Sequence, residues 1–524
     1  MAAAALARPG RPAAEAPPEP VLTRRRVLAF VVMVFGMFMA ILDIQIVSAS
    51  LREIQAGLGA SSSEIAWVQT GYLIAEVVMI PLSGFLARMM GTRLLFAVSA
   101  GGFTAASLLC ATSGSLPEIV LWRAVQGFLG GGMIPSVFAA AFTIFPASKR
   151  PIVSPLIGLV ATLAPTVGPT VGGYLSHAFS WHWLFLVNVG PGILVTAGAL
   201  LLIDFDRPDW RLWDHFDWLG LAALAAFLGG LEYVLEEGPG GDWFSDRWVA
   251  VLALVSALGA ATFFWRALTR EEPIVDLTAL GNANFAVGSL FSFVMGVGLY
   301  GLTYLYPLFL GSVRGYDSLM IGQTMFVSGL AMMVAAPVTG VLSRRLDLRV
   351  MLMAGFVGFA VSTWWLTAIT AEWDFTQLLW PQVLRGLSLM TCMVSINNLA
   401  LGTLPPSRIR GASGLYNLMR NLGGAVGLAA INTLLTDREA LHVARLSDSV
   451  SWTNAEAVRQ LDALSRTLGS PRAALAQLAL RVQAQAAVMS FADVFLLITA
   501  LFGGLAAAAL LMRPPRAGAG GAGH

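Results

Sequence analysis

Six charged residues lie within apolar runs that are long enough to cross a lipid bilayer. They are Asp43, Glu76, Arg123, Glu232, Arg385 and Arg420. A charged side chain at the centre of a membrane helix costs at least about 2.5–3.5 kcal/mol on insertion scales, so such residues usually face the inside of a helix bundle and mark a transport path. The pattern therefore predicts a protein that moves a solute across a membrane.

Two of these residues are candidate proton carriers. Asp43 lies near the predicted end of the first span and Glu76 near the middle of the second, where an apolar environment favours the protonated form of a carboxyl group. The alternatives are a solvated helix end for Asp43 and a structural partner of an arginine for Glu76. Arg123 keeps its proton, so we expect it to pair with a carboxyl group or to act as a structural clamp. Glu232 is expected to face the membrane interface.

Composition identifies the class of protein. Hydrophobic residues make up 57% of the 524 residues and charged residues only 12%, and the mean hydropathy is +0.73. This is too little polar surface to cover a soluble globule of this size, so an integral membrane protein is predicted. The net charge of +2 and the absence of basic blocks give no footprint for nucleic acid.

About fourteen apolar runs have the length of a membrane span. They cover residues 27–47, 65–86, 94–112, 118–144, 152–175, 184–203, 217–235, 248–268, 285–309, 318–342, 350–370, 377–402, 411–435 and 489–512. A count of twelve would require the runs at 217–235 and 248–268 not to cross. Arginines concentrate in alternate loops, which by the positive-inside rule predicts that both termini are cytoplasmic.

The predicted organisation is two six-helix halves with two inserted helices. The predicted parts are a disordered cytoplasmic tail (1–23), an N-terminal half (24–204), the insertion (205–270), a C-terminal half (271–512) and a cytoplasmic tail (513–524). An internal repeat supports the halves, because Arg123 and Arg385 are each followed after about 20 residues by a basic turn and a glycine-rich span. Loops at residues 84–88 and 340–345 are also similar. Residues 436–488 are expected to form two helices outside the membrane, either a self-packed hairpin or a docking surface.

Two motifs carry a family resemblance. Arg123–Gly127 reads RAVQG, and Ala164–Gly173 reads APTVGPTVGG. On these motifs the chain resembles the major facilitator superfamily, and within it the fourteen-span drug:proton antiporters of the EmrB type. One departure is Arg88, which stands where that family usually has an aspartate in the loop after the second span.

The resemblance implies a function. It implies export of small amphipathic compounds across the bacterial inner membrane, driven by the proton gradient without a cofactor, with an EmrA-like periplasmic adaptor and a TolC-like outer-membrane channel as partners. The implied antiporter motif is Pro165, Gly168, Pro169, Gly172 and Gly173. Its prolines are expected to bend the span, and its small residues to let another helix approach closely.

Further residues are expected to support or line the path. The candidates for gating or support are Gln126, Gly127, Arg385, Asn417 and Arg420. Arg385 is expected to matter less than Arg123 because its neighbourhood lacks the motif glutamine. A substrate cavity between the halves is expected to use Tyr72, Met79, Tyr300 and Tyr304, because broad binders use aromatic and methionine surfaces.

Other classes of protein fit less well. The single lysine, Lys149, follows no phosphate-loop pattern, which excludes an ATP-driven pump built from this chain alone. The five histidines form no metal-binding spacing and no GxSxG motif occurs, so neither an enzyme nor a metal site is predicted. A stand-alone exporter of a specific metabolite and a non-transporting sensor or scaffold remain as alternatives.

Overall fold

The described part of the chain is a bundle of α-helices without strands. A computed structural model describes residues 22–61, 64–65, 67–146, 150–214, 216–240, 243–270, 273–275, 277–316, 318–404, 406–451 and 453–513. The first ten helices are α1 (Arg24–Ala49), α2 (Leu51–Leu58), α3 (Trp67–Thr112), α4 (Leu116–Gly130), α5 (Met133–Ile144), α6 (Arg150–Ala178), α7 (Trp183–Leu186), α8 (Val189–Leu202), α9 (Trp218–Glu237) and α10 (Arg247–Thr269). The others are α11 (Ala283–Ser312), α12 (Ser318–Leu342), α13 (Leu348–Trp365), α14 (Phe375–Ala400), α15 (Pro406–Ser449), α16 (Ala455–Leu468) and α17 (Pro471–Ala506).

The chain makes the predicted fourteen passes. Twelve helices in the described residues have the length and hydropathy of a membrane span. One of them, α3, counts as two passes because the chain reverses at Gly91, whose φ is 78°, and the 29-residue α6 adds another. The runs at 217–235 and 248–268 form α9 and α10, and both helices have the length and hydropathy of a span, which favours fourteen spans over twelve.

The reversal at Gly91 corrects one prediction. Residues 84–88, expected to be a loop, are helical, and the helix continues to Gly91. Only glycine adopts the positive φ of this turn without strain. The amide nitrogen of Thr92 then donates to Asp206 at 2.8 Å, and its hydroxyl donates to the same oxygen at 2.5 Å. Asp206, between α8 and α9, thus supplies a carboxylate to the turn that carries Arg88 instead of an aspartate.

We call the bundle face where α1 begins the near face, and the face where it ends the far face. The two halves meet along α6 and α12, along α3 and α15, and where α5 packs on α15. Toward the near face this contact is tight, since a Cβ atom added at Gly414 would lie 3.3 Å from the carbonyl oxygen of Ile80. Across the same region, Arg420 lies 5.5 Å from the ring of Phe138. The two halves are therefore in contact on the near side of the bundle.

The inserted helices α9 and α10 form a tightly packed pair. Asp217 caps α9 by accepting from the Gly220 amide at 2.8 Å, and it binds Arg266 of α10 at 2.5 Å. α9 of this pair packs against α3 and α15, which belong to different halves. It therefore lies over the junction between the halves.

On the far face, α15, α16 and α17 form a helical projection. α15 has 44 residues, about 66 Å at 1.5 Å per residue, whereas the hydrocarbon core is about 30 Å thick. Ser470 caps α17, with proline following as predicted, and α16 packs against α17. The predicted helices of residues 436–488 are thus present, and α15 extends into this segment as well. Most of the two terminal tails (1–21 and 514–524) lies outside the described residues.

Candidate functional site

Asp43 lies at the centre of a buried polar cluster in the N-terminal half. Its two carboxylate oxygens accept three hydrogen bonds, from Arg123 at 2.6 Å, Asn188 at 2.7 Å and Gln126 at 3.1 Å. Asp43 and Arg123 are both 0% exposed. A buried ion pair is stable only when further hydrogen bonds satisfy both ions, and the two amides do this for Asp43. The alternative of a solvated helix end for Asp43 is therefore wrong.

The RxxQG motif builds the other side of this cluster. Arg123 and Gln126 are three residues apart in α4, so they share one face of the helix. Arg123 also donates to the carbonyl oxygen of Val68 at 3.0 Å and lies 4.2 Å from the centre of the Tyr72 ring. A side chain at Gly127 would overlap the backbone of Tyr72, so the glycine permits close packing of α4 on α3. The motif thus places the side chain of Arg123 against α3, where it reaches Asp43 of α1.

Glu76 lies beside this cluster but forms no ion pair among the described residues. Its side chain is 3% exposed, and its Oε1 atom has no hydrogen-bond partner. It lines a small cavity of about 60 Å³. A carboxylate without a partner at this depth requires a counter-charge or a proton. The alternative of a structural partner of an arginine does not hold for Glu76.

A larger cavity of about 440 Å³ adjoins the small one and extends toward the far face. Its lining comes from both halves and from the insertion: Ile44, Gln45, Ser48, Leu51, Gln69, Leu73, Pro169, Glu236, Tyr300, Thr303, Tyr304, Pro307, Leu308, Ile321, Leu428 and Asn432. Tyr300 and Tyr304 line it as predicted. Tyr72 and Met79 do not line either cavity, because Tyr72 is covered by Arg123 and Met79 packs against Gly131 and Gly132 of the same half.

The antiporter motif holds α6 between the two halves. A side chain at Gly168 would overlap the Cβ atom of Gln45, and a Cβ atom at Gly172 would lie 2.7 Å from the carbonyl oxygen of Ile46, both in α1. On the other side, Thr170 contacts Gly322 of α12. Pro169 lines the cavity. α6 runs from Arg150 to Ala178 without interruption, so its prolines do not break it.

Gly173 and Pro165 complete the antiporter motif. Gly173, toward the end of α6, is buried. Pro165 lies within α6, but its side chain falls outside the described part of the chain.

In the C-terminal half, Arg385 repeats the position of Arg123 with different partners. It donates to Thr303 at 3.2 Å and to Gln382 at 3.3 Å, and it lies 5.3 Å from the ring of Tyr306. A glutamine is therefore present beside Arg385, but it precedes the arginine instead of following it. In the described residues no carboxylate binds Arg385.

The polar residues of α15 separate into different roles. Asn417 donates to the carbonyl oxygen of Ser413 in its own helix at 2.9 Å. Arg420 faces the ring of Phe138 in the other half, and its Nε and one terminal nitrogen have no hydrogen-bond partner. Asn421 lines the small cavity and accepts from the hydroxyl of Tyr300 at 3.4 Å. Of these three residues only Asn421 lines a cavity.

Sequence reasoning missed three functional positions. Asn188 completes the shell of Asp43, and an asparagine within an apolar run was its only signal. Glu232 and Glu236 line the cavities instead of facing the interface. Their signal was the spacing of four residues, which places both on one face of α9. No group of three metal-binding side chains occurs within the described ranges.

Comparison with known proteins identifies the family. The model of the Major Facilitator Superfamily matches residues 33–428. The chain belongs to this superfamily. Its members are secondary transporters and not enzymes.

Several relatives and one solved structure show how far the likeness extends. The chain is 41% identical over 469 residues to the colistin resistance protein EmrB of Acinetobacter baumannii, covering 88% of this chain and 92% of that protein. It is 30% identical to the multidrug export protein EmrB of Escherichia coli K12 over 96% and 99% of the two chains. The fatty acid resistance protein FarB of Neisseria gonorrhoeae is 29% identical over 95% and 98%. The human organic anion transporter MFSD10 has a similar fold, with a TM-score of 0.56 at 14% identity over 92% of this chain and 100% of that one.

Proposed function

We propose that this protein exports amphipathic organic compounds from the cytoplasm in exchange for protons. The observation that carries the proposal is the arrangement of two buried carboxyl groups beside one cavity, with Asp43 paired to Arg123 and Glu76 left without a partner. Efflux relatives and the family fold support the direction of transport. Because the cavity extends toward the far face and the halves are in contact on the near side, we assign this conformation to the state that releases substrate and takes up protons.

The two carboxyl groups have different roles in this mechanism. Glu76 faces the cavity and takes up a proton from the far side, because protonation removes the cost of an unpaired buried charge. The proton is released on the near side after the halves have rocked. The ion pair of Asp43 and Arg123 forms only when α1, α3 and α4 pack as they do here. Protonation of Asp43 would therefore change how the helices of the N-terminal half pack.

The membrane orientation follows from the arginines. Arg24–Arg26, Arg344, Arg345 and Arg349 lie at the near face, whereas the short far-face loops hold few arginines. By the positive-inside rule the near face is cytoplasmic, and both termini lie there. We place the protein in the bacterial inner membrane with α15–α17 projecting into the periplasm.

Purified protein in proteoliposomes tests the coupling. With an acidic lumen and inside-out protein, a fluorescent amphipathic substrate added outside should accumulate, and collapse of the pH gradient should stop accumulation. Glu76→Gln should remove the response to the gradient while keeping substrate binding measurable. Accumulation that is independent of the gradient, or a Glu76→Gln variant that still responds to it, would contradict the proposal.

We also propose that the periplasmic projection docks an EmrA-like adaptor, which leads to a TolC-like outer-membrane channel. The support is a set of exposed leucines beyond the membrane, Leu468, Leu475 and Leu480, which are 46%, 57% and 59% exposed. An exported apolar compound that stays in the periplasm can re-enter the inner membrane, and a sealed conduit prevents this.

Deletion of residues 455–470 tests the docking proposal. Transport in proteoliposomes should persist, while whole-cell resistance and co-purification with the adaptor should be lost. Unchanged resistance and unchanged adaptor binding would instead favour a stand-alone exporter.

A further inference from the structure

The inserted helix α9 forms part of the cavity wall. Gly229 faces Ile74 of α3, with a Cβ position 3.3 Å from that side chain, and the rings of Tyr233 and Trp67 are 5.5 Å apart. On its other side α9 contacts α15. Since α3 and α15 belong to different halves, α9 covers the gap between them at the level of the cavity.

This position brings a second buried carboxyl group opposite Glu76. Glu232 is 7% exposed and lines the small cavity together with Glu76, Tyr300 and Asn421. Glu236, one turn later, lines both cavities. Within the described part of the chain neither Glu232 nor Glu76 forms a salt bridge, and no arginine, lysine or histidine lines either cavity. Among the described residues, therefore, no cation pairs directly with either carboxyl group.

The rest of the lining is suited to an apolar cation. The larger cavity presents Leu73, Leu428 and the rings of Tyr300 and Tyr304. Aromatic faces attract cations, and apolar walls take up the hydrocarbon body of an amphipathic molecule. An organic cation would thus supply the missing counter-charge and fill the cavity in one step. The Oε1 atom of Glu76, which has no hydrogen-bond partner, can therefore hold either a proton or such a cation.

We infer that Glu232 of the inserted helix is a substrate-recognition residue that, with Glu76, binds the cationic head of amphipathic organic cations. This inference rests on the proposed export function and names its substrate class. Its physical basis is the position of Glu232, because α9 holds a carboxyl group across the gap from Glu76. The insertion then contributes directly to specificity.

Binding of two lipophilic ions of similar shape and opposite charge tests the inference. Wild-type protein in nanodiscs should bind tetraphenylphosphonium and should not prefer tetraphenylborate. Glu232→Gln should weaken tetraphenylphosphonium binding by about tenfold or more, equivalent to about 1.4 kcal/mol, and should not weaken tetraphenylborate binding. Glu232→Asp should keep most of the affinity. The matched control is Glu237→Gln, which removes a carboxyl group of the same helix that lines neither cavity.

A second measurement needs no variant. Tetraphenylphosphonium should protect Glu232 of the wild-type protein from modification by dicyclohexylcarbodiimide, read by mass spectrometry, and tetraphenylborate should not. Equal tetraphenylphosphonium binding by Glu232→Gln and Glu237→Gln, or labelling of Glu232 that the cation does not reduce, would overturn the inference. Export of an uncharged amphipathic compound by the wild-type protein under a pH gradient separates this failure from failure of the proposed function.

Discussion

Replacing Asp43 with asparagine should destabilise the protein strongly, although it makes the first span more apolar. The carboxylate accepts from Arg123, Asn188 and Gln126 at 2.6, 2.7 and 3.1 Å, and both ions of the pair are 0% exposed. Asparagine has one acceptor oxygen, so its amide nitrogen would face a donor. Arg123 would also lose the only carboxylate that binds it among the described residues. Removing one partner of a buried pair costs about 3–5 kcal/mol.

A double-mutant cycle measures this cost. Unfolding by sodium dodecyl sulfate in mixed micelles, followed by circular dichroism, gives the free energy of unfolding for Asp43→Asn, Arg123→Gln and the double variant. The double variant should be less destabilised than the sum of the two single variants by at least about 2 kcal/mol, because the second change removes the orphaned charge.

The exposed pair Asp347–Arg349 provides the control. Its side chains are 36% and 30% exposed, and asparagine keeps the cap on α13, so Asp347→Asn should cost less than about 1 kcal/mol. If Asp43→Asn costs no more than Asp347→Asn, or if the cycle shows no coupling, the buried pair does not hold α1 to α4 and the reasoning fails. If the measured loss in the free energy of unfolding is as large as expected, it also sets an upper limit on the free energy needed to separate the pair during the conformational change.

Two further substitutions follow from the glycines. Gly168→Leu should abolish transport while keeping expression near normal, because the leucine side chain would overlap Gln45. Gly190→Ala, which has no atom within 4 Å of the new Cβ, should transport normally. Equal transport by both variants would mean that the glycine of the motif serves only ordinary packing. Gly91→Ala should lower the free energy of unfolding by about 1–3 kcal/mol, because the turn at φ 78° and ψ 154° excludes a side chain. Wild-type stability of this variant in the same micelle assay would show that the turn does not require glycine.

The sequence predicted what depends on composition and helical period. Apolar runs give the spans because the bilayer fixes their length, and i, i+3 spacing places Arg123 and Gln126 on one face. A buried charge demands a partner, which gave the expectation that Arg123 pairs with a carboxyl group. The same rule did not show that Arg385 is held by neutral side chains. The close contact of α6 with α1 also follows from the glycines of its motif.

The unpredicted features depend on which helices become neighbours. Glu232 was expected at the membrane interface, and its actual place in the cavity wall depends on α9 packing between α3 and α15. Asn188 reaches Asp43 from 145 residues away. Asp206 supplies a carboxylate to the turn after Arg88, but it comes from a loop 114 residues after Thr92. Helical period shows which residues share a face and gives no information on the helix that faces them.

The two halves share a scaffold but differ in chemistry. Arg123 is neutralised by a carboxylate, so a change in the charge of Asp43 alters its energy directly. Arg385 is held by the neutral side chains of Gln382 and Thr303, and no proton transfer within that set changes its charge. Thr303 also lines the cavity, so the charge of Arg385 lies one side chain behind the cavity wall. The acid opposite Glu76 comes from α9 instead of from the second half. We therefore expect the coupled protons to bind in the N-terminal half. The C-terminal half moves against it without a change in its own charge.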